Sequence, residues 1–297
     1  MLYNNLSTYL KQKYGKKIGK ICIDGGFTCP NRDGKCGTGG CIFCGERGAG
    51  EHIDPSQGIR EQAEAVLRRG AYDGYIAYFQ SFTNTYAPTD TLRERYEAAL
   101  CDNRILALAI GTRPDCIDEE CAALIASFKD RVDVWVELGL QTASDETAKI
   151  INRGYNTSTF IRATEILKKY SIPYVIHLMI GLPSEGREEV MRTVELINSV
   201  KPFGVKIHST YVMKGTRLAK MLEEGEYTAL DFDRYVTTAA DCIAALDPEI
   251  ILHRITGDCP KGLLVAPAWN TDKNRVIDAI RCELLRRGAR QGSDFCK

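Results

Sequence analysis

The strongest constraint on the fold is an alternation of short apolar runs with helical patterns. Ile105-Leu-Ala-Leu-Ala-Ile110 is apolar at every position, which suits a strand covered on both faces in a parallel sheet. Comparable runs predict strands at 17–23, 74–80, 132–140, 173–180 and 205–212, and helical patterns follow at 59–69, 88–100, 119–128, 145–151, 159–169, 188–199 and 216–224. These six β/α units are too few for a closed eight-stranded barrel. They predict an open α/β architecture, a partial (β/α)6 TIM-like barrel with its active site at the C-terminal strand ends. Residues 1–230 would form this core. Residues 231–297, with helical patterns at 232–246 and 274–287 around an irregular stretch at 253–270, are expected to pack on it as a C-terminal helical extension.

Charge and hydropathy exclude several classes. The 39 basic and 39 acidic residues balance, which argues against a large non-specific nucleic-acid surface. Two local basic clusters remain, Lys11, Lys13, Lys16, Lys17 and Lys20 near the start and Arg281, Arg286, Arg287 and Arg290 near the end. They read first as solvated helix faces, and they can also meet in space. No run approaches the 18 or so apolar residues of a membrane span, and residues 1–20 carry no apolar stretch of a secretory leader. A cytoplasmic, membrane-free protein is expected, in which twelve cysteines call for metal binding or burial rather than disulfides.

Five of those cysteines, Cys22, Cys29, Cys36, Cys41 and Cys44, fall within 23 residues. Cys29, Cys41 and Cys44 on one glycine-rich loop can hold three irons of a 4Fe-4S cluster and leave the fourth without a protein ligand, open to a small molecule. Two other readings stand beside this one. Cys-x2-Cys is also a zinc half-site, which Cys36 would complete in a non-catalytic metal-binding module. Cys36-x4-Cys41-x2-Cys44 is an alternative triad.

The loop resembles that of the radical S-adenosylmethionine (radical SAM) enzymes. Its first gap of eleven residues departs from the superfamily's commonest C-x3-C-x2-C and is similar to the long-gap loop of relatives of the Elongator catalytic subunit. Four strings, Gly-Phe-Thr-Cys-Pro-Asn-Arg-Asp-Gly (26–34), Phe-Thr-Asn-Thr-Tyr-Ala-Pro (82–88), Gly-Thr-Arg-Pro-Asp-Cys (111–116) and His-Arg-Ile-Thr-Gly-Asp (253–258), resemble the bacterial YhcC/YtqA-type family across nearly the whole chain. The resemblance places the metal ligands at Cys29, Cys41 and Cys44 and makes Cys36 a bystander.

It also implies a shell for S-adenosylmethionine. Ser81 and Thr83 occupy the turn where the superfamily has glycines facing the methionyl amino group. Gln141 and Arg153 match a ribose-binding glutamine and a carboxylate-binding arginine, suited by amide and guanidinium chemistry. His177 stands where related enzymes place a ribose-binding aspartate. Glu137 replaces a carboxylate lost at Gly111, and Met213 packs against adenine. Arg113, His208 and Lys214 are the expected catalytic or substrate-binding residues.

The implied reaction is reductive cleavage of S-adenosylmethionine to a 5′-deoxyadenosyl radical. Electrons would come from a donor such as flavodoxin or ferredoxin. The Elongator-related group points to transfer RNA. The implied substrate is the C5 side chain of wobble uridine, taken from the carboxymethylaminomethyl towards the aminomethyl form before a separate methyltransferase acts. The runner-up is a radical SAM oxidoreductase on a small metabolite or a protein side chain.

Overall fold

The computed structural model describes residues 2–48, 50, 53, 56–257, 259 and 262–295. Seven strands form one sheet: β1 (Ile18–Ile23), β2 (Gly74–Phe79), β3 (Ile105–Thr112), β4 (Asp133–Gln141), β5 (Tyr174–Ile180), β6 (Gly204–Ser209) and β8 (Ile251–Arg254), in the order β1-β2-β3-β4-β5-β6-β8. Every pairing within it is parallel. A short antiparallel pair, β7 (Val212–Met213) with β9 (Leu264–Ala266), stands apart. The sheet is an open half-barrel.

Side chains alternate across it as strand geometry requires. Ala77 and Phe79, Leu108 and Ile110, Val136 and Leu138, Ile176 and Leu178, and Val205 and Ile207 face outward into the main core. Helices α2 (Ile59–Leu67), α3 (Thr89–Ala99), α4 (Glu119–Ala126), α6 (Thr157–Lys169), α7 (Arg187–Val200) and α9 (Phe232–Ala245) cover that face. The opposite registers, Ile76, Tyr78, Ala107, Ala109, Trp135 and Val175, line the inside with Leu10 of α1 (Leu6–Tyr14). Small residues on β3 keep the interior open, while Tyr78 and Trp135 fill it from either side.

The sheet has one strand more than the six expected. β8 lies at the edge of the stretch expected to be irregular. It is four residues long, and two of them, His253 and Arg254, are polar, so its apolar signal is too short to read alone. The segment from 231 onward is therefore helical plus two strands, β8 in the main sheet and β9 in the small pair. The sixth strand ends at Ser209 rather than at 212: the Thr210 amide makes its last bond to β5, on the Ile180 carbonyl at 2.9 Å, and Val212 and Met213 pair with β9 instead. Helix α1 is a further addition. Asn5 caps it by accepting from the Thr8 amide at 2.9 Å, and the Leu252 amide donates to the Asn4 carbonyl at 2.8 Å, which covers the outer edge of β8. Asp118, Ser144, Asn156, Thr216, Asp231 and Asp272 cap α4, α5 (Asp145–Ile150), α6, α8 (Arg217–Glu223), α9 and α10 (Lys273–Arg286) in the same way.

α10 packs on α9, with Val276, Ile280 and Leu284 fully buried. Leu285, the next residue, is 65% exposed. Leu284→Ala is expected to cost about 2–5 kcal/mol of stability through the cavity it leaves, and Leu285→Ala within about 0.5 kcal/mol. Urea unfolding of the apoprotein measures both; equal effects would place α10 outside the cooperative core.

Candidate active site at the strand ends

The ends of β2, β3, β4 and β5 converge on one cavity. Cys29, Cys41 and Cys44 lie on its wall, together with Gln80, Ser81, Thr83, Gly111, Arg113, Glu137, Gly139, Gln141, Tyr155 and His177. The cysteine loop is built by its own backbone and by two neighbouring turns. The Cys29 carbonyl accepts from the Arg32 and Asp33 amides, and the Cys41 carbonyl from the Cys44 amide at 3.0 Å. Arg32 reaches back to the carbonyls of Cys44, Gly45 and Glu46. The Asn152 side chain donates to the carbonyls of Thr38 and Gly40, the Ile42 amide donates to the Ile151 carbonyl, and Asn31 donates to the Asn152 carbonyl.

Cys41 and Cys44 share a hydrogen bond that raises the first thiol and lowers the second. Cys36 is exposed and turned away: the Arg113 guanidinium meets its sulfur at 3.5 Å, and Asp115 lies at 3.9 Å. Among the described residues, no three His, Cys, Asp or Glu side chains converge as ligands of one metal ion would. Three sulfurs sharing one cavity wall, each free to serve a different metal atom, fit an iron–sulfur cluster.

The turn after β2 holds Ser81 and Phe82 in consecutive left-handed conformations, with φ of 64° and 59°. Non-glycine residues adopt these only where the surroundings enforce them. The Thr83 amide donates to the Thr28 carbonyl, and Asn84 donates to the Gly111 carbonyl through both backbone and side chain. This fastening leaves Ser81 Oγ and Thr83 Oγ1 buried without hydrogen-bond partners. Buried hydroxyls of this kind fit a polar ligand in the cavity.

Across the cavity, Gln141 ends β4 at φ 61° and folds back over Gly139. A Cβ on Gly139 would stand 2.4 Å from Gln141 Nε2. Deeper on β4, Glu137 is fully buried, bonded to Lys206 and, at 2.9 Å, to His177. Burial alone would raise its carboxyl; Lys206 and then His177 reverse this and hold it well below the usual glutamate range. Burial also lowers His177, which keeps its imidazole neutral. Burial pushes the Lys206 ammonium down and Glu137 pulls it back; their direct contact keeps the pair ionic.

Other expected residues lie elsewhere. Arg153 is fully buried and does not line the cavity. Its guanidinium donates to the carbonyls of Leu140, Thr142 and Tyr155 and pairs with Asp145 at 3.3 Å, so its donors go to backbone support rather than to a ligand carboxylate. His208 is half-buried beside His177, with ring centroids 5.2 Å apart. Met213 is buried in β7, and Lys214 is exposed with its amide bonded to the Leu263 carbonyl; neither reaches the cavity, because the strand expected at 205–212 breaks at Thr210. Asp258, the last residue of the fourth string, lies outside the described residues.

Two participants escaped the sequence reading. Lys206 sits between Val205 and Ile207 on an apolar strand, two residues before His208, and that alternation was the available signal. Tyr155 lines the cavity with the Arg113 and Arg153 guanidinium carbons 4.8 Å and 4.7 Å from its ring centre; nothing in its local sequence marks it.

A parallel half-barrel with three cysteines at its strand ends defines the class. The chain belongs to the radical SAM superfamily, whose family model matches residues 32–197, and the Radical_SAM C-terminal domain matches residues 202–286. It is accordingly an S-adenosylmethionine-dependent enzyme, and the superfamily implies a 4Fe-4S cluster. Within that class it belongs to the YhcC/YtqA family, related to Elongator. The uncharacterized protein YtqA of Bacillus subtilis is 38% identical, over 99% of this chain and 92% of its own length. A tRNA uridine(34) acetyltransferase of Dehalococcoides mccartyi is 31% identical, over 60% of this chain and 38% of that protein. Among solved structures, archaeal Methanocaldococcus infernus Elp3 superposes with a TM-score of 0.70 at 20% identity, covering 92% of this chain and 64% of that one; this likeness speaks to the fold. Among the described residues, no helix is long and apolar enough to cross a membrane.

Glu137→Gln leaves Lys206 buried without a counter-charge and is expected to cost about 3–5 kcal/mol. In the unmutated protein the same contribution is present above the ordinary glutamate value of about 4.3. It is lost as pH falls through the lower folded-state value. Unfolding of both forms between pH 7 and pH 3 checks this: the difference should shrink on acidification, and a constant difference would refute the ion pair.

Proposed function

We propose that the chain uses Cys29, Cys41 and Cys44 to hold a 4Fe-4S cluster and acts on the C5 side chain of wobble uridine in transfer RNA. The implied change runs from the carboxymethylaminomethyl towards the aminomethyl form. The observation that carries the site assignment is the shared cavity of those three sulfurs and the partnerless hydroxyls of Ser81 and Thr83. The substrate assignment is supported by the D. mccartyi relative, named for activity at tRNA uridine 34.

When bound, the cluster supplies an electron that reduces S-adenosylmethionine and yields the 5′-deoxyadenosyl radical. The chain's residues bind and orient. Ser81 and Thr83 offer hydroxyls to the methionyl amino group and Gln141 offers an amide to the ribose diol; Arg113 lines the same cavity with its guanidinium held by Asp115 and the Arg153 carbonyl. Glu137 and His177 form the floor and fix its hydrogen-bonding pattern. Half-buried Tyr155 and the loop residue Phe43 shield the cavity from water. An external donor of the flavodoxin or ferredoxin type would reduce the cluster, and a separate methyltransferase would follow.

The test is anaerobic reconstitution with iron and sulfide, then reductant and S-adenosylmethionine, with 5′-deoxyadenosine quantified with and without hypomodified transfer RNA and the RNA digested to nucleosides. Deoxyadenosine that rises with RNA, together with an altered wobble uridine, is expected. Deoxyadenosine formation indifferent to RNA would overturn the substrate and point to a small metabolite or a protein side chain. Gln141→Ala is expected to raise the S-adenosylmethionine KM roughly tenfold, the loss of about one hydrogen bond, while iron content stays unchanged.

A further inference from the structure

The lateral gap of the half-barrel, between edge strands β1 and β8, holds a second space of about 910 Å³. Helix α1 contacts both edge strands across this gap. Lys11, Lys16, Lys17 and Lys20 line the groove from the α1–β1 side, and Lys206 closes its inner end. Those first four lysines are exposed and make no ion pair among the described residues; Lys13, the remaining member of the cluster, is spent on Asp133. Among the described residues Asp73 is the single acidic side chain on the groove wall, and it already accepts from the Lys17 amide at 3.4 Å. In a chain whose total charges cancel, this is a local concentration of positive charge.

The C-terminal basic cluster behaves differently. Arg286 pairs with Glu283, and Arg287 with Asp241 and Glu283, so these two members are spent on acidic partners. The groove's lysines are also interleaved with aromatic rings. Lys17 stands 4.9 Å from the centre of Tyr72, while Lys20 and Lys206 stand 4.4 Å and 4.5 Å from the centre of Tyr78. Lys11 lies on α1, Lys16 and Lys17 on the turn before β1 and Lys20 on β1 itself, so the charges are spread over several positions and suit an anion with a repeating backbone better than a single carboxylate. Lys206 at the inner end bonds Glu137, which lines the cofactor cavity, so a single ion pair stands between the two spaces.

We propose that this groove docks a strand of RNA, with backbone phosphates on Lys11, Lys16, Lys17 and Lys20 and the reacting nucleotide reaching inward towards Lys206. The exposed Tyr72 ring beside Lys17 matches the stacking and charge that single-stranded RNA requires. This inference rests on the transfer RNA reading above and specifies where that substrate lies.

The experiment measures binding of a fluorescently labelled transfer RNA transcript to the reconstituted full chain by anisotropy over a salt series. It compares the unmutated protein, Lys16→Glu/Lys17→Glu, and the control Arg192→Glu/Arg234→Glu, which makes the same charge change on exposed positions of α7 and α9. The groove variant is expected to bind about tenfold or more weakly, with the slope of log K against log salt reduced by about one to two. The control is expected to bind normally, and iron content and RNA-independent deoxyadenosine formation should be equal in all three. Equal RNA affinity in the groove variant, with RNA still modified, would overturn the groove and leave the substrate reading intact. Equal affinity with slower reduction by an acidic electron-donor protein would overturn it and assign the groove to that partner. No RNA binding by the unmutated protein would overturn both.

Discussion

The site depends on one guanidinium that never meets solvent. Arg153 ties the carbonyls of Leu140 and Thr142, at the end of β4, to the Tyr155 carbonyl in the following turn. That turn carries Asn152, whose amide holds the carbonyls of Thr38 and Gly40. The sheet's rigidity thus reaches a loop with few backbone ladders of its own. Asp145 lies at 3.3 Å, but the carbonyls provide most of the partners. An uncompensated charge here would be severely destabilising, so the turn and the strand end are fixed together. The cysteine positions follow from that geometry.

Below the loop, the inner face of the sheet is polar where such faces are usually apolar. The register aligns Gly139 with His177, His177 with Lys206 and Lys206 with Arg254. One row across four strands therefore forms the floor of the cofactor cavity at one end and the inner wall of the basic groove at the other. Ion pairing of Glu137 with Lys206 makes this row tolerable. The glycines on the row and beside it leave the space above it open, and larger side chains there would close the cavity.

Much of this was legible in the sequence. The apolar run at 105–110 and its counterparts gave six strands, because strands covered on both faces leave an unbroken signal. The cysteine spacing gave the position of the site. β8 was hidden because four edge residues with two polar members carry no period. The direction of the Arg153 side chain was not legible, because a motif records which residue occurs and not where its side chain points. Its neighbours Gly154 and Asn152 were compatible with either outcome, and only the carbonyls of Leu140 and Thr142 decide it. Met213 and Lys214 follow the short β7–β9 pairing away from the main sheet, which no residue-type argument signals.

The central claim is that three protein thiolates hold the cluster and leave one iron open. Mössbauer spectroscopy of the protein reconstituted with 57Fe, before and after S-adenosylmethionine is added, tests it most directly. The account predicts that about one iron in four changes its parameters on addition, equally in the unmutated protein and in Cys36→Ala. Four irons that stay equivalent with S-adenosylmethionine present, or a cluster lost in Cys36→Ala and kept in Cys29→Ala, would contradict it.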